Sequence, residues 1–243
     1  MPLNLKKLQS TARRRIGLKG DVEFESIPKS RLAALRIGSG FLSTSTNSST
    51  LKHTIVYSNV SSLDPADIYH EFCRAKLNEC GFTTIELAAL DTIRECSKED
   101  PKYILDANSA IAVVSEVYAS ALLFSKFEEA SERRETIVLR FESDDALTNL
   151  HTEMGFWGTA AICYYKDACE RAQTNFPQKQ IDAAIQRSKD SKELQKEYEQ
   201  INILLADLPK IDLLTIERIS DTDSITIVDI IVRLFATKTG LEC

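Results

Sequence analysis

The chain has 243 residues, of which 43% are hydrophobic and 27% are charged, with a net charge of −6. This composition supports a folded core, and the small numbers of glycine (8) and proline (6) exclude a disordered or collagen-like chain. No apolar run approaches the length of a membrane span, and the first residues are charged rather than apolar as in a signal peptide. We therefore expect a soluble, cytoplasmic protein that does not associate with membranes.

The first predicted element is a short basic helix at about 3–16. Residues 1–20 contain no acidic residue and six basic ones, Lys6, Lys7, Arg13, Arg14, Arg15 and Lys19. The apolar residues at helical spacing are Leu5, Leu8, Ala12 and Ile16. This spacing predicts one buried helix face. A basic arm can bind nucleic acid, but no aromatic residues are interleaved here, so we favour a surface helix and do not expect nucleic acid as a partner.

Three strand-like runs follow, at 22–27, 32–37 and 52–58. The first alternates apolar and acidic residues, which is typical of a half-exposed strand. The stretch 38–50, between the second and third runs, is rich in serine, threonine and asparagine. It is predicted to be a polar loop.

The next predicted helix, at about 65–80, has clear signals at both ends. Asp64 is a favourable N-cap residue, and Pro65 suits the first helical position because it lacks a backbone N–H. Gly81 provides the stop signal at the C-terminal end.

This helix carries the sequence His70-Glu71-Phe72-Cys73-Arg74, which differs by one residue from the pattern H-E-x-x-H. In the intact pattern two histidines four residues apart bind zinc from one helical face, and the glutamate activates the metal-bound water. In this chain Arg74 takes the place of the second histidine. Arginine is always cationic and is not an ordinary zinc ligand.

The rest of the chain is predicted to be helical, at 85–96, 108–135, 145–176, 178–208 and 224–238. The last segment is ambiguous, because its β-branched residues favour a strand whereas its length and its possible cap favour a helix; we predict a helix. Within 108–135, Glu116 is the acid that is flanked by apolar residues on both sides. A carboxylate in such a stretch requires a polar partner.

The order of these features resembles the zincin metallopeptidases, specifically the gluzincin branch, over residues 20–135. In that family a glutamate on a later helix is the third zinc ligand. The resemblance implies that His70 is the first ligand, Glu71 is the general base and Glu116 is the third ligand. It also implies that 52–58 is an edge strand that pairs with an extended peptide.

Arg74 leaves two alternatives open for the metal. Zinc could be retained if Cys73 or His151 supplied the missing ligand. Alternatively, the guanidinium of Arg74 lies at the metal position and pairs with Glu116 or Glu71, so that an ion pair replaces the metal.

These features predict an α+β fold, with a small N-terminal sheet packed on a zincin-like active-site helix pair. Its parts are a basic helix at 1–20, a zincin-like domain at 20–140 and a mostly α-helical region at 145–243. We expect a metallopeptidase-like protein, degenerate or inactive in catalysis, with a peptide or protein beside 52–58. If active, it would hydrolyse peptide bonds by metal-activated water. The alternative is a non-enzymatic helical interaction module in which the His-Glu pair is coincidental.

Overall fold

The computed structural model describes residues 4–28, 30–31, 42–58, 64–97, 101–130, 166, 179, 191–209, 211–212 and 215–239. In these ranges the chain forms a three-stranded sheet and six α-helices, as predicted for an α+β fold. The strands are β1 (Asp21–Ile27), β2 (Leu42–Asn47) and β3 (Lys52–Ser58). The helices are α1 (Leu5–Ile16), α2 (Pro65–Glu79), α3 (Phe82–Ser97), α4 (Pro101–Lys126), α5 (Ser191–Ala206) and α6 (Asp221–Thr239). A 3-10 turn at Glu128–Ala130 follows α4.

The sheet has the order β1-β3-β2, so β3 is the central strand. It pairs in parallel with β1, where Val22 is opposite His53, and antiparallel with β2, where Thr46 is opposite His53. The prediction that 52–58 is an edge strand is therefore wrong. Because hydrogen bonds to β1 and β2 occupy both sides of β3, it has no free edge on which an extended peptide could add as a further strand.

Strand β2 lies inside the stretch 38–50 that was predicted to be a loop, so that prediction is corrected for 42–47. The β-branched threonines of this stretch suit a pleated strand, although its serines and its asparagine resemble loop composition. Its backbone gains a ladder of hydrogen bonds to β3, which a sequence pattern does not reveal. The predicted strand at 32–37 lies outside the described residues.

Helix α1 packs against α2 and α4, with Ala12 and Ile16 buried as the apolar spacing predicts. Its first turn is capped by the side chain of Asn4, which accepts a hydrogen bond from the backbone N–H of Lys7. It ends at Gly17, whose φ of 62° is the left-handed conformation that glycine favours at this position. The N-terminal helix is thus part of the packed domain.

Helix α2 begins and ends close to the predicted residues. The side chain of Asp64 accepts a hydrogen bond from the N–H of Ala66, and Pro65 occupies the first turn. At the other end Gly81 has a φ of 102°, and α3 begins at the next residue. Helix α2 packs against α1, α3, α4 and β2, so most of its residues are buried.

Helix α6 covers α3 and α4 and confirms that the ambiguous segment 224–238 is helical. Its β-branched residues are used for packing, since Ile227, Ile230 and Ile231 are buried in the same cluster as α2 and α4. Helix α4 begins before the predicted residue 108, and the segment 145–176 lies almost entirely outside the described residues. None of the helices in the described ranges is long and apolar enough to cross a bilayer.

Candidate functional site

Helices α2 and α4 bring together the four residues that the sequence singles out. His70, Glu71 and Arg74 project from α2, and Glu116 approaches them from α4. Nε2 of His70 lies 3.0 Å from Oε2 of Glu116. Glu116 thus has the polar partner that a carboxylate in an apolar helix requires.

The guanidinium of Arg74 lies between the two carboxylates of the site. It forms an ion pair with Oε1 of Glu116, and its Nε lies 3.8 Å from Oε1 of Glu71. The side chain of Arg74 is 31% exposed and that of Glu116 is 18% exposed, so the pair lies at the edge of the buried region. Among the described residues, Arg74 supplies the counter-charge to both acids.

Glu71 is buried and held by several partners. One of its oxygens accepts a hydrogen bond of 2.6 Å from the hydroxyl of Thr44 on β2, and the other lies 3.6 Å from Nδ1 of His70. Burial raises the pKa of Glu71, but the interactions with His70, Arg74 and Thr44 outweigh it, so the pKa lies below its usual value. A carboxylate with a lowered pKa accepts a proton poorly near neutral pH and is therefore a weak general base.

The described residues do not fit a catalytic zinc centre. Such a centre needs three protein ligands and an open position. Here the predicted ligands His70 and Glu116 contact each other directly, and the second oxygen of Glu116 is taken by the cation of Arg74. Within the described ranges, no group of three or more His, Cys, Asp or Glu side chains is placed to hold a metal ion.

The two predicted substitute ligands do not change this result. Cys73 is fully buried, and burial together with the nearby charge of Glu71 raises the pKa of its thiol well above the usual value. Among the described residues, Cys73 joins no group that is placed to hold a metal ion. His151 lies outside the described residues.

Several polar residues near the site carried no signal in the sequence. Thr44 lies in the stretch predicted to be a loop, and Ser120, one helical turn after Glu116, places its hydroxyl 3.5 Å from Nε2 of His70. Glu86 on α3 accepts a hydrogen bond of 2.6 Å from the hydroxyl of Ser115 on α4. The acid Glu116, flanked by apolar residues, could have pointed to its neighbours one turn away, but nothing in the spacing identifies Glu86.

A polar cavity of about 150 Å³ opens beside Arg74. Its lining comes from β2, α2, α3 and α4 and consists of Thr44, Arg74, Leu77, Asn78, Phe82, Glu86 and Ser115. Burial raises the pKa of Glu86, and the hydrogen bond from Ser115 and the charge of Arg74 offset only part of this effect. The cavity thus combines a cation, an acid that holds its proton more tightly than usual, and neutral polar groups.

A second concave surface lies between α3 and α6, on another part of the molecule. This groove has a volume of about 600 Å³ and is lined mainly by apolar residues such as Ile85, Val228 and Val232. Ile225 also lines it, and its side chain is 72% exposed. Its size is in the range of ligand-binding and partner-binding clefts.

Comparison with known proteins finds no matching family model, no matching curated protein and no matching solved structure. The resemblance to the zincins therefore rests on the motif of α2 and on Glu116. The structure adds that these residues are in contact. It also adds that Arg74 occupies the space between the two carboxylates.

Proposed function

We propose that this protein is a metallopeptidase-like binding protein in which an ion-pair network centred on Arg74 replaces the catalytic metal. The observation that supports this most strongly is the ion pair between Arg74, at the position of the missing histidine, and Glu116, the expected third ligand. A guanidinium at this position neutralises the carboxylates as the metal would, but it cannot activate a water molecule.

The state of Glu71 agrees with this proposal. A peptidase base must lie next to a metal-bound water and have a pKa close to the working pH. Glu71 instead has a lowered pKa and is engaged by Thr44, His70 and Arg74. We therefore expect the site to bind a ligand without hydrolysing it.

The experiment measures zinc per chain on protein purified without chelator, together with hydrolysis of a mixture of fluorogenic peptides. We expect far less than one zinc per chain, and no hydrolysis above that of the Glu71→Gln variant, with or without added zinc. About one zinc per chain, lost on replacement of His70 by Gln, would overturn the proposal. So would hydrolysis that requires Glu71.

A second candidate function is a non-enzymatic interaction module, and the groove between α3 and α6 is the observation that favours it. The same surface carries a concave apolar groove and the protruding side chain of Ile225, so a second copy of the chain is the partner to test first. Sedimentation velocity over a range of concentrations checks this. Concentration-dependent dimers that are lost in Ile225→Glu, but kept when the similarly exposed Ile203 outside the groove is changed to Glu, would support the interaction module.

A further inference from the structure

The polar cavity beside Arg74 offers a hydrogen-bond donor on one wall and acceptors on others. The donor is Nε of Arg74, which is buried and has no partner at hydrogen-bond distance among the described residues. The hydroxyl of Thr44 directs its only proton to Glu71, and its lone pairs remain available. The hydroxyl of Ser115 likewise directs its proton to Glu86. A ligand in this cavity therefore meets one unsatisfied donor and several acceptors.

Asn78 adds one group of each kind to the lining. Its side-chain amide donates one N–H to the hydroxyl of Thr46, at 2.8 Å, and this leaves a second N–H and the carbonyl oxygen. Because buried polar groups are normally paired, a ligand that enters here must itself carry both donors and acceptors.

The charges near the cavity favour a neutral ligand. The guanidinium of Arg74 lines the cavity and repels an ammonium group. It already forms ion pairs with Glu116 and Glu71, so its charge is balanced, and an anionic ligand would add a further carboxylate to this group. Bringing any charge out of water is costly, whereas a neutral polar group loses less when its hydrogen bonds are replaced.

A primary carboxamide has the matching set of groups. Its carbonyl oxygen accepts hydrogen bonds, and its NH2 group donates two. With this oxygen on Nε of Arg74, the buried N–H gains the partner that it lacks, and this stabilises the complex. The hydroxyl of Ser115 and the carboxyl of Glu86 are then available as acceptors for the NH2 group, and a carboxyl accepts whether or not it is protonated.

We infer that this cavity binds a primary carboxamide, the group at the end of a glutamine or asparagine side chain, presented by a peptide. The inference rests on the proposed function, since it names the ligand of a site that binds without hydrolysis. A volume of about 150 Å³ is large enough for the carboxamide and a short alkyl stem. Arg74 then has two roles, because it balances the acids of the site and donates to the carbonyl oxygen of the ligand.

The experiment is a titration of the full chain with propionamide, followed by ¹H–¹⁵N correlation spectra that include the side-chain amide of Asn78. We expect saturable shifts of this amide, with a dissociation constant on the order of millimolar for so small a probe. Propionate and propylammonium have a similar shape but carry a charge, and we expect no saturable shifts with either. Acetylated tripeptide N-methylamides with a central glutamine, glutamate or lysine then repeat the comparison in a peptide.

The Arg74→Met variant keeps most of the apolar stem and lacks the donor. We expect it to bind propionamide about tenfold more weakly or worse, since a hydrogen bond from a charged group is lost. The matched control is Arg94→Met on the exposed surface of α3, which should bind as the unaltered chain does. Ser115→Val fills part of the cavity and should also lose binding, so the test does not depend on the folding of Arg74→Met.

Absence of saturable binding of propionamide, or unchanged binding by a folded Arg74→Met or Ser115→Val protein, would overturn the inference. So would tighter binding of propionate or propylammonium than of propionamide. A preference for the glutamine peptide over the glutamate and lysine peptides supports it. A protein that contains zinc and still binds propionamide would overturn the proposed function alone. A metal-free protein that binds no propionamide would overturn only this inference.

Discussion

Helix α2 carries two buried polar clusters that differ in how completely their groups are satisfied. The first lies at its C-terminal end, where Glu79 accepts hydrogen bonds from the backbone N–H groups of Lys19 and Gly20, at 2.9 and 2.6 Å. Nε2 of His53, on the central strand, lies 3.1 Å from the same carboxylate. The side chains of His53 and Glu79 are 0% and 4% exposed, so both are buried, whereas Lys19 lies at the surface.

The hydrogen bonds of this first cluster form a complete chain. Asn78 donates to the hydroxyl of Thr46, this hydroxyl lies 2.9 Å from Nδ1 of His53, and the opposite nitrogen of His53 lies 3.1 Å from Glu79. With a proton on Nε2, the ring of His53 donates to Glu79 and its Nδ1 accepts from Thr46. Such a network fixes the loop after α1 and the sheet to the end of α2, which is a structural role.

The second cluster, around Glu71, Arg74 and Glu116, is less complete. Nε of Arg74 is buried but has no partner at hydrogen-bond distance among the described residues, and the side chain borders a cavity. Buried polar groups are normally satisfied, so spare capacity beside a cavity indicates a place for a ligand. Burial and charge are common to both clusters, so neither of them identifies a site, whereas incomplete pairing next to an open volume distinguishes the second cluster.

Replacement of Glu79 by Ala should have the largest effect on stability. It leaves the buried N–H of Gly20 and the buried side chain of His53 without their partner, which typically costs about 3–5 kcal/mol for a broken buried pair. Urea denaturation followed by circular dichroism measures the free energy of unfolding. The exposed Glu25 on β1 is the control, and Glu25→Ala should change stability by less than about 0.5 kcal/mol. A loss below about 1 kcal/mol for Glu79→Ala would contradict the structural role of this cluster.

The Gly20→Ala variant should be the next most damaging. A Cβ atom on Gly20 would lie 2.1 Å from the carbonyl oxygen of Leu51 and 2.3 Å from Nε2 of His53, so backbone must move. We expect a loss of about 3 kcal/mol. At Gly81 a Cβ meets nothing within 4 Å, although the φ of 102° is strained for alanine, and Gly81→Ala should cost about 1 kcal/mol. If urea denaturation gave the same loss in free energy of unfolding for Gly20→Ala and Gly81→Ala, the close packing at Gly20 would be unimportant for stability.

Removal of the charge in the second cluster should cost less. The Arg74→Met variant keeps most of the apolar stem and loses the ion pairs with Glu116 and Glu71. Because this region is partly exposed, water can solvate the remaining acids, and we expect a loss of about 1–2 kcal/mol. Thermal or urea denaturation of both Arg74→Met and Glu79→Ala tests which of the two variants loses more stability. A larger loss for Arg74→Met than for Glu79→Ala would reverse the assignment of the two clusters.

The smallest expected effect is a difference in acid sensitivity. Burial raises the pKa of Glu79, but its hydrogen bonds with His53 and with the two backbone N–H groups and the charge of Lys76 outweigh it, so the pKa is lowered in the fold. A lowered carboxyl pKa adds stability above the unfolded-state pKa, and this stability is lost as the pH falls through the folded-state pKa. The free energy of unfolding should therefore fall below pH about 4.5, the ordinary value. In Glu79→Gln the free energy of unfolding should fall less steeply as the pH decreases. An unchanged pH dependence would contradict the link between the lowered pKa of Glu79 and stability.

The sequence predicted those parts of the structure that depend on local signals. The caps of α2 at Asp64 and Pro65 were correct, because capping is decided by residues next to one another in the chain. Glu116 was identified because a lone acid in an apolar helix stands out against its neighbours. The site residues on α2 were found through one motif, and the structure places them in contact with Glu116.

The parts that could not be predicted depend on contacts between distant segments. Strand β2 reads as a loop because its stability comes from pairing with β3. The same pairing makes β3 central rather than an edge strand. Glu86 and Ser115 are 29 residues apart, and their hydrogen bond requires the packing of α3 on α4, which no spacing in the sequence encodes.

Zinc titration of the Arg74→His variant shows whether Arg74 stands in place of a metal. Position 74 lies one helical turn after His70, so a histidine there restores a second donor on the same face, with Glu116 as the third. Arg94→His on the exposed surface of α3 is the control. By isothermal titration calorimetry, we predict about one tightly bound zinc per chain for Arg74→His. We expect much weaker binding for the unaltered chain, for Arg94→His and for Arg74→His combined with Glu116→Gln. A folded Arg74→His protein that binds zinc no better than the unaltered chain would contradict the claim that Arg74 stands in place of a metal.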